Sequence, residues 1–294
     1  MGVCYDMDAC IETYLKGEGF HVPPVSVDET LSLTVELVQK VPVSPTAYVF
    51  VFAYPPEVDE AFKCHTFTHF TLHGVHPEPL LEGHWNNTKA AFSEGLKVTK
   101  KYTPIFIDHA KREVHFLIRI YRCCEKFPDG GRFTRFAEQL KLHDKLVIQP
   151  MQSRVTLPKT GLIKGFNGEV PFETLNIIAG GTGITPYVRF IVNNTASKVR
   201  LLFCNKTLKE ILLKPLFDEV EKRGLLKVKY LVTSEDPAVV DAYQRADGDN
   251  VFFAKLTREQ VEPFFEKENS CTLFCGPPGM NTTAGRILGE LGLG

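Results

Sequence analysis

The stretch Leu175-Asn176-Ile177-Ile178-Ala179-Gly180-Gly181-Thr182-Gly183-Ile184-Thr185-Pro186 decides the fold class of this 294-residue chain. Residues 175–179 form an almost wholly apolar run without alternation, which reads as a strand buried on both faces. It runs into a glycine turn, and Pro186 falls in the first turn of the helix that follows. Such a strand, feeding a helix, is the unit of a parallel sheet. Glycines let the chain turn tightly and approach an anion, while unpaired N–H groups and the positive end of the helix dipole face it. The turn is a phosphate cradle made of backbone. It is not the G-x-G-x-x-G fingerprint, because Pro186 stands where the third glycine would be and the next strand ends in Cys204-Asn205 instead of an acidic residue.

Toward the C-terminus the same rhythm repeats, with strands at 199–203, 227–232 and 272–275 and helices at 184–192, 214–223 and 278–291. Toward the N-terminus it changes. Leu31, Leu33, Val35 and Leu37 alternate with polar or smaller neighbours, and short strand-like runs recur near 47–53, 67–72, 114–121 and 145–148, which together suggest an antiparallel barrel. The sequence therefore divides into an N-terminal arm (1–26), a β-barrel domain (27–168) and an α/β domain (169–294), with a linker-like stretch at 160–170. Residues 74–96, which hold the only tryptophan, Trp85, read as a long surface loop.

Composition narrows the function classes. With 44% hydrophobic and 23% charged residues the chain is globular, and a net charge of -1 gives no reason to expect a nucleic-acid partner. No apolar run reaches the ~18–20 residues of a membrane span. Asp6, Asp8, Glu12 and Glu18 break the apolar core that a secretory signal needs, so a cytoplasmic address is expected, with peripheral membrane contact left open. The eight cysteines then read as thiols, and no metal-ligand spacing is present. Charge is uneven: positions 86–135 carry 11 basic and 5 acidic residues, a local +6.

Three further segments carry chemistry. Phe127-Pro128-Asp129-Gly130-Gly131-Arg132-Phe133-Thr134-Arg135-Phe136 is a second glycine turn before a short helix reaching Leu140, where Arg132 and Thr134 can add charged and hydroxyl contacts to an anion; taken by itself it reads first as a hairpin turn. Thr99-Lys100-Lys101-Tyr102-Thr103-Pro104-Ile105 puts an aromatic ring and a hydroxyl beside two cations, or is simply a solvated strand edge. Thr272-Leu273-Phe274-Cys275-Gly276-Pro277-Pro278-Gly279-Met280 ends the final strand at the carboxyl edge of a parallel sheet, where open α/β sheets bind ligands.

The ordered set formed by residues 100–104, 130–134, 180–186, 203–215 and 275–280 resembles the ferredoxin-reductase-like flavoenzymes, and within them NADH-cytochrome b5 reductases. The resemblance implies a two-domain β plus α/β fold, an N-terminal antiparallel six-stranded flavin-binding barrel followed by a parallel-sheet nucleotide-binding domain, with FAD and NADH as cofactors. By position it implies that Tyr102 packs on the flavin ring, that Thr103 hydrogen-bonds near its N5, that Lys100 and the backbone at Gly131, Arg132, Phe133 and Thr134 hold the flavin pyrophosphate, and that Pro104 and Gly130 also belong to the cofactor site. Arg119 and Tyr121 extend that pocket, while His69 reads as a barrel histidine satisfied within the fold. On the nicotinamide side it implies that Gly180, Gly181, Thr182, Gly183, Thr185 and Pro186 cradle the NADH diphosphate and that Cys275, Gly276 and Pro277 border the nicotinamide. Thr103 and Cys275 are thus the residues expected nearest the reacting atoms, Cys275 as a positioning residue and not a nucleophile. Glu235, in Thr233-Ser234-Glu235-Asp236, is expected at the adenosine ribose, where a carboxylate repels a 2′-phosphate and favours NADH.

The implied activity is hydride transfer from NADH to FAD, then delivery of single electrons to a separate acceptor. The local +6 suits an acidic haem protein such as cytochrome b5, or equally serves phosphates and solvent. A monomer is expected. The sequence departs from the pattern at Lys100, where an arginine would be usual, at residues 149–153, which lack glycine, in the longer stretch 74–96, and at Gly294, about where a last strand ending in an aromatic is expected to follow. These motivate the alternative of a non-catalytic flavin- or nucleotide-binding module.

Overall fold

The computed structural model describes residues 27–165, 168–194, 196–247 and 250–293, so the expected N-terminal arm lies outside the described residues. Contacts divide what is described into two units, 27–64 with 68–153, and 65–67 with 154–293.

The first unit is built on strands β1 (Leu33–Pro42), β2 (Ala47–Ala53), β3 (His69–Val75), β4 (His84–Trp85), β5 (Thr88–Lys89), β6 (Lys97–Tyr102), β7 (Phe106–Asp108), β8 (Glu113–Arg119) and β9 (Lys145–Met151), with helices α1 (Asp59–Phe62) and α2 (Arg132–Gln139). All but β4 and β5 join in one antiparallel sheet of order β6-β3-β9-β1-β2-β8-β7. The expected barrel is thus a curled sheet of seven strands, β7 being a three-residue addition at one edge. The alternation in β1 works as read: Leu33, Val35 and Leu37 are buried while Thr34 is exposed. Phe52 and Phe70 both meet Phe116, with ring centroids 6.2 and 6.0 Å away, and each fully buried ring contributes roughly 1.5–3 kcal/mol.

Helix α2 closes this core with Phe133 and Ala137. At its C-terminus Lys40 donates to the carbonyls of Ala137 and Leu140 at 3.3 Å each and to that of Glu138, so a cation meets the negative end of the helix dipole. The opposite end of the helix is the glycine turn. The segment expected as a long surface loop is folded: β4 and β5 form a small hairpin, and Trp85 is only 8% exposed.

The second unit holds β10 (Thr156–Lys159), β11 (Leu162–Gly165) and β12 (Gly168–Pro171) in a three-stranded antiparallel sheet. There follow β13 (Thr174–Gly180), α3 (Thr185–Asn193), β14 (Lys198–Asn205), α4 (Lys214–Lys222), β15 (Leu226–Val232), α5 (Pro237–Asp247), β16 (Val251–Phe253), α6 (Arg258–Val261), β17 (Ser270–Cys275) and α7 (Pro278–Leu291). The strands form a parallel sheet of order β16-β15-β14-β13-β17. As its apolar run requires, every residue of β13 is buried. The chain steps outward from β13 to β16 and returns to the other side of β13 as β17. The switch point of the sheet therefore lies at the carboxyl ends of β13 and β17, where residues 180–183 and 275–277 sit.

Candidate functional site

In the first unit two of the motifs come together at one place. Strand β6 pairs with β3 so that Lys100 faces Leu72 and Tyr102 faces Phe70, and the Tyr102 ring lies 5.4 Å from that of Phe133 in the first turn of α2. Tyr102 is partly buried at the edge of the core, and the desolvation this brings pushes its phenol well above the ordinary value, so it is a neutral ring and not a proton donor in waiting. One step beyond the last rung, the same register sets Thr103 against His69. Pro104 is buried behind them, and Lys100 is exposed at the sheet edge.

The turn opening α2 is fixed by its glycines. Gly130 has φ +68°, and a Cβ there would meet the Tyr121 carbonyl oxygen at 2.5 Å; at Gly131 it would meet the Thr134 hydroxyl at 2.2 Å. Gly131 N–H donates to the Tyr121 carbonyl (2.8 Å) and Tyr121 N–H donates to the Thr134 hydroxyl (3.2 Å). The Thr134 hydroxyl is therefore committed to the fold, and what this residue offers a ligand is its backbone. No side chain caps the helix start, so the N–H groups of Arg132, Phe133 and Thr134 stand as the unpaired donors of a first turn. Tyr121 is 56% exposed beside them, and Arg119 ends β8 opposite Ala47.

His69 departs from its sequence reading as a satisfied barrel histidine. Its Nε2 is buried without a hydrogen-bond partner, and so is Oγ1 of Thr68. Burial, followed by the nearby Lys101 charge, holds the His69 imidazole below its ordinary pKa, which leaves it neutral with one nitrogen available. Sequence reasoning also missed Trp85, Asn86, Phe92 and Asp129, which surround the glycine turn; the lone tryptophan in a polar loop was the only available signal.

In the second unit the glycines of residues 180–183 serve close packing as well as the turn. A Cβ at Gly183 would lie 2.2 Å from the Cys275 carbonyl oxygen, and Met280 covers Gly180 and Gly276, where a Cβ would meet its side chain at 2.5 and 2.2 Å. Gly181 has φ +52°, which glycine adopts without strain. Thr182 is in the single 3₁₀ turn that follows β13, Thr185 and Pro186 open α3, and no side chain caps either start. Burial pushes the Cys275 thiol up, so it stays protonated near neutral pH. Pro277 precedes α7. Among the described residues of this unit, side-chain oxygens of Thr66, Asn176, Asn205, Gln260 and Asn281 are buried without partners; two of them lie next to the carboxyl ends of the strands, Oδ1 of Asn205 at the end of β14 and Oδ1 of Asn281 in the first turn of α7.

The acidic pair after β15 divides its work. Asp236 caps α5, its carboxylate accepting from Ala238 N–H at 2.9 Å. Glu235 accepts from Leu208 N–H at 3.1 Å through one oxygen, which fixes the carboxylate and leaves the other oxygen at the end of the sheet. Among the described residues no cluster of histidine, cysteine and acidic side chains is arranged to hold a metal ion, and no helix is long and apolar enough to cross a membrane. The described cysteines are thiols, not disulfides.

Residues 177–286 match the model of the oxidoreductase NAD-binding domain. Over 194 residues the chain is 31% identical to NADH-cytochrome b5 reductase 2 of Mus musculus, spanning 62% of this chain and 68% of that protein. It is 27% identical over 190 residues to the NADH nitrate reductase of Ulva prolifera, of whose length it spans 21%. Among solved structures, the cytochrome b5 reductase domain of that nitrate reductase superposes with a TM-score of 0.71 at 22% identity, covering 93% of this chain and 97% of that domain.

Proposed function

Because the chain belongs to the NADH-cytochrome b5 reductase family of ferredoxin-reductase-like flavoenzymes, we propose that it is an NADH-dependent oxidoreductase that binds FAD on its first unit, NADH on its second, and delivers electrons singly to a separate acceptor. The observation that carries the reading is the start of α2, where three unpaired N–H groups open beside the Tyr102 ring. An aromatic surface next to an anion cradle suits a ligand that is itself a flat ring joined to a pyrophosphate. The unpartnered Nε2 of His69 and Oγ1 of Thr68 suit the same ligand, since a buried polar atom without a partner costs about 1–3 kcal/mol until something bonds it.

Bound FAD supplies what no side chain can, acceptance of a hydride and release of single electrons. The chain's own residues bind and orient. Tyr102 offers a face for stacking, Thr103 a hydroxyl for the flavin N5 edge, and Lys100, Arg132 and the N–H groups of residues 132–134 positive charge for the phosphates. Lys100 does this as a point charge, without the two-pronged geometry of an arginine. On the second unit the turn at 180–183 and the amide oxygens of Asn205 and Asn281 receive NADH, with the protonated Cys275 bordering the nicotinamide. Glu235 disfavours a 2′-phosphate by charge. No acid or base is demanded of the protein. The basic 86–135 segment, with its local +6, favours an acidic haem protein such as cytochrome b5 as acceptor.

The test is an anaerobic titration of the FAD-loaded protein with NADH and, separately, NADPH, followed in the visible flavin spectrum. Bleaching by about one equivalent of NADH, much faster than by NADPH, is the expected result. A protein that stays colourless after incubation with FAD would sink the reading and leave a binding module in its place.

A further inference from the structure

The segment 76–96 has been given no role so far, yet its polar contacts converge on the turn that opens α2. Both oxygens of the Asp129 carboxylate accept backbone N–H groups from it, Leu80 at 2.7 Å and Asn86 at 2.6 Å, and Asp129 N–H donates to Asn86 Oδ1 at 2.8 Å. The Gly130 carbonyl accepts from Trp85 Nε1 at 2.8 Å and from Asn86 Nδ2 at 3.0 Å. The Arg132 guanidinium lies over two rings of the segment, 4.8 Å from the Phe92 centroid and 5.4 Å from that of Trp85, with Nη1 reaching the Ala91 carbonyl at 3.4 Å. His76 stands edge-on to Trp85 at 5.1 Å, closing the aromatic box from behind.

Each contact has a consequence for an anion at the helix start. Asp129 is only 4% exposed, and with both oxygens bonded its negative charge is spent locally instead of facing a phosphate. Two donors turn the Gly130 carbonyl toward the segment and hold the peptide whose φ of +68° sets up the first turn. Stacking on aromatic faces restrains a side chain that otherwise has many rotamers, and with Nη1 reaching Ala91 the remaining guanidinium donors face a partner in a fixed orientation. Ordering of this kind, done before binding, removes a cost that the ligand would otherwise meet.

We propose that residues 76–96 form a clasp that pre-sets the glycine turn and Arg132 for the pyrophosphate of a flavin dinucleotide, with Trp85 and Asn86 as positioning residues. This rests on the flavin reading above. It gives this chain an arginine, held in place by the clasp, at a site where Lys100 supplies only a point charge.

The test is titration of flavin-free full-length protein with FAD, followed by quenching of flavin fluorescence, for the wild type and for Trp85→Leu, Trp85→Phe, Asn86→Ala, Arg132→Met and the Trp85→Leu/Arg132→Met pair. Thermal melts of each apoprotein establish that it is folded. Trp85→Leu and Asn86→Ala each raise the FAD Kd by about tenfold, and Phe at position 85 restores part of the loss because a ring face returns. The double variant loses clearly less affinity than the two single losses combined, since part of the effect of Trp85 runs through Arg132 and the rest through the Gly130 carbonyl. Folded Trp85→Leu and Asn86→Ala proteins with the wild-type Kd overturn the clasp, as do strictly additive effects of Trp85→Leu and Arg132→Met. Failure of the wild type itself to bind FAD overturns the flavin reading, and the clasp with it.

Discussion

Gly183 lies so close to the backbone of Cys275 that a methyl group on it would stand 2.2 Å from the Cys275 carbonyl oxygen and 2.6 Å from the carbonyl carbon. Backbone cannot give way as a side-chain tip can, so the glycine is required by the fit between the ends of β13 and β17. Gly183→Ala therefore separates the two strand ends. The expected cost is about 1–3 kcal/mol of stability, measured by thermal melting, together with a rise of about tenfold in the Kd for NADH. Unchanged NADH affinity would show that the turn and residues 275–277 do not form one site.

Cys275 is expected to position and not to react. Its thiol is pushed up by burial, so little thiolate exists at neutral pH, and iodoacetamide should label it slowly compared with the exposed Cys123 and Cys124. Cys275→Ser and Cys275→Ala should both keep NADH binding and slow flavin reduction by about 10- to 100-fold, the scale of a small misplacement of the nicotinamide. Complete loss of reduction in Cys275→Ser, with the protein folded and NADH bound, would make it a covalent participant.

How far these residues could be read in advance depended on the range of their contacts. The run of residues 175–179 declared a buried parallel strand because burial on both faces leaves an unmistakable composition, and β13 is buried throughout. The alternation of β1 was equally local. The clasp was not legible: Trp85 and Asn86 meet Gly130 and Asp129 across more than forty residues, and a polar loop has no period to announce its partners. His69 misled for a related reason, since the residue type alone does not tell whether the nitrogens of a strand histidine are bonded. Periodicity failed at α1, β7 and β16, which are three or four residues long and too short to show either a helical or a strand period.

Asp59 gives the first unit an acid-sensitive element. Its partial burial pushes the carboxyl up, but hydrogen bonds from the Tyr54 hydroxyl at 3.1 Å and from His109, with the Lys63 charge, outweigh burial and hold it below the usual carboxylate value. A depressed carboxyl contributes stability above its unfolded pKa of about 3.9, and that contribution is lost as pH falls through the folded value. Asp59→Asn should accordingly lower the melting temperature near neutral pH, with the gap to the wild type closing below about pH 4. A gap that is constant from pH 7 to pH 3 would mean that the charge contributes nothing.

Glu235 is proposed to bear on cofactor choice, because of the two acids after β15 Asp236 is engaged at a helix start while Glu235 is not. Asp236 is occupied as the cap of α5, whereas Glu235 is anchored by Leu208 N–H through Oε2 alone. An anchored carboxylate at the carboxyl end of the sheet can accept ribose hydroxyls and repel a phosphate in the same place, so the proposed preference for NADH would follow from one charge held still. Glu235→Gln keeps an oxygen for Leu208 and removes the charge, which should lower the ratio of kcat/KM for NADH over NADPH by about tenfold, chiefly by improving NADPH. Asp236→Asn should leave the ratio unchanged while weakening α5, because its carboxylate is spent on a helix start. If the two substitutions shift the ratio equally, the discrimination comes from the net charge of the loop and not from the placement of Glu235.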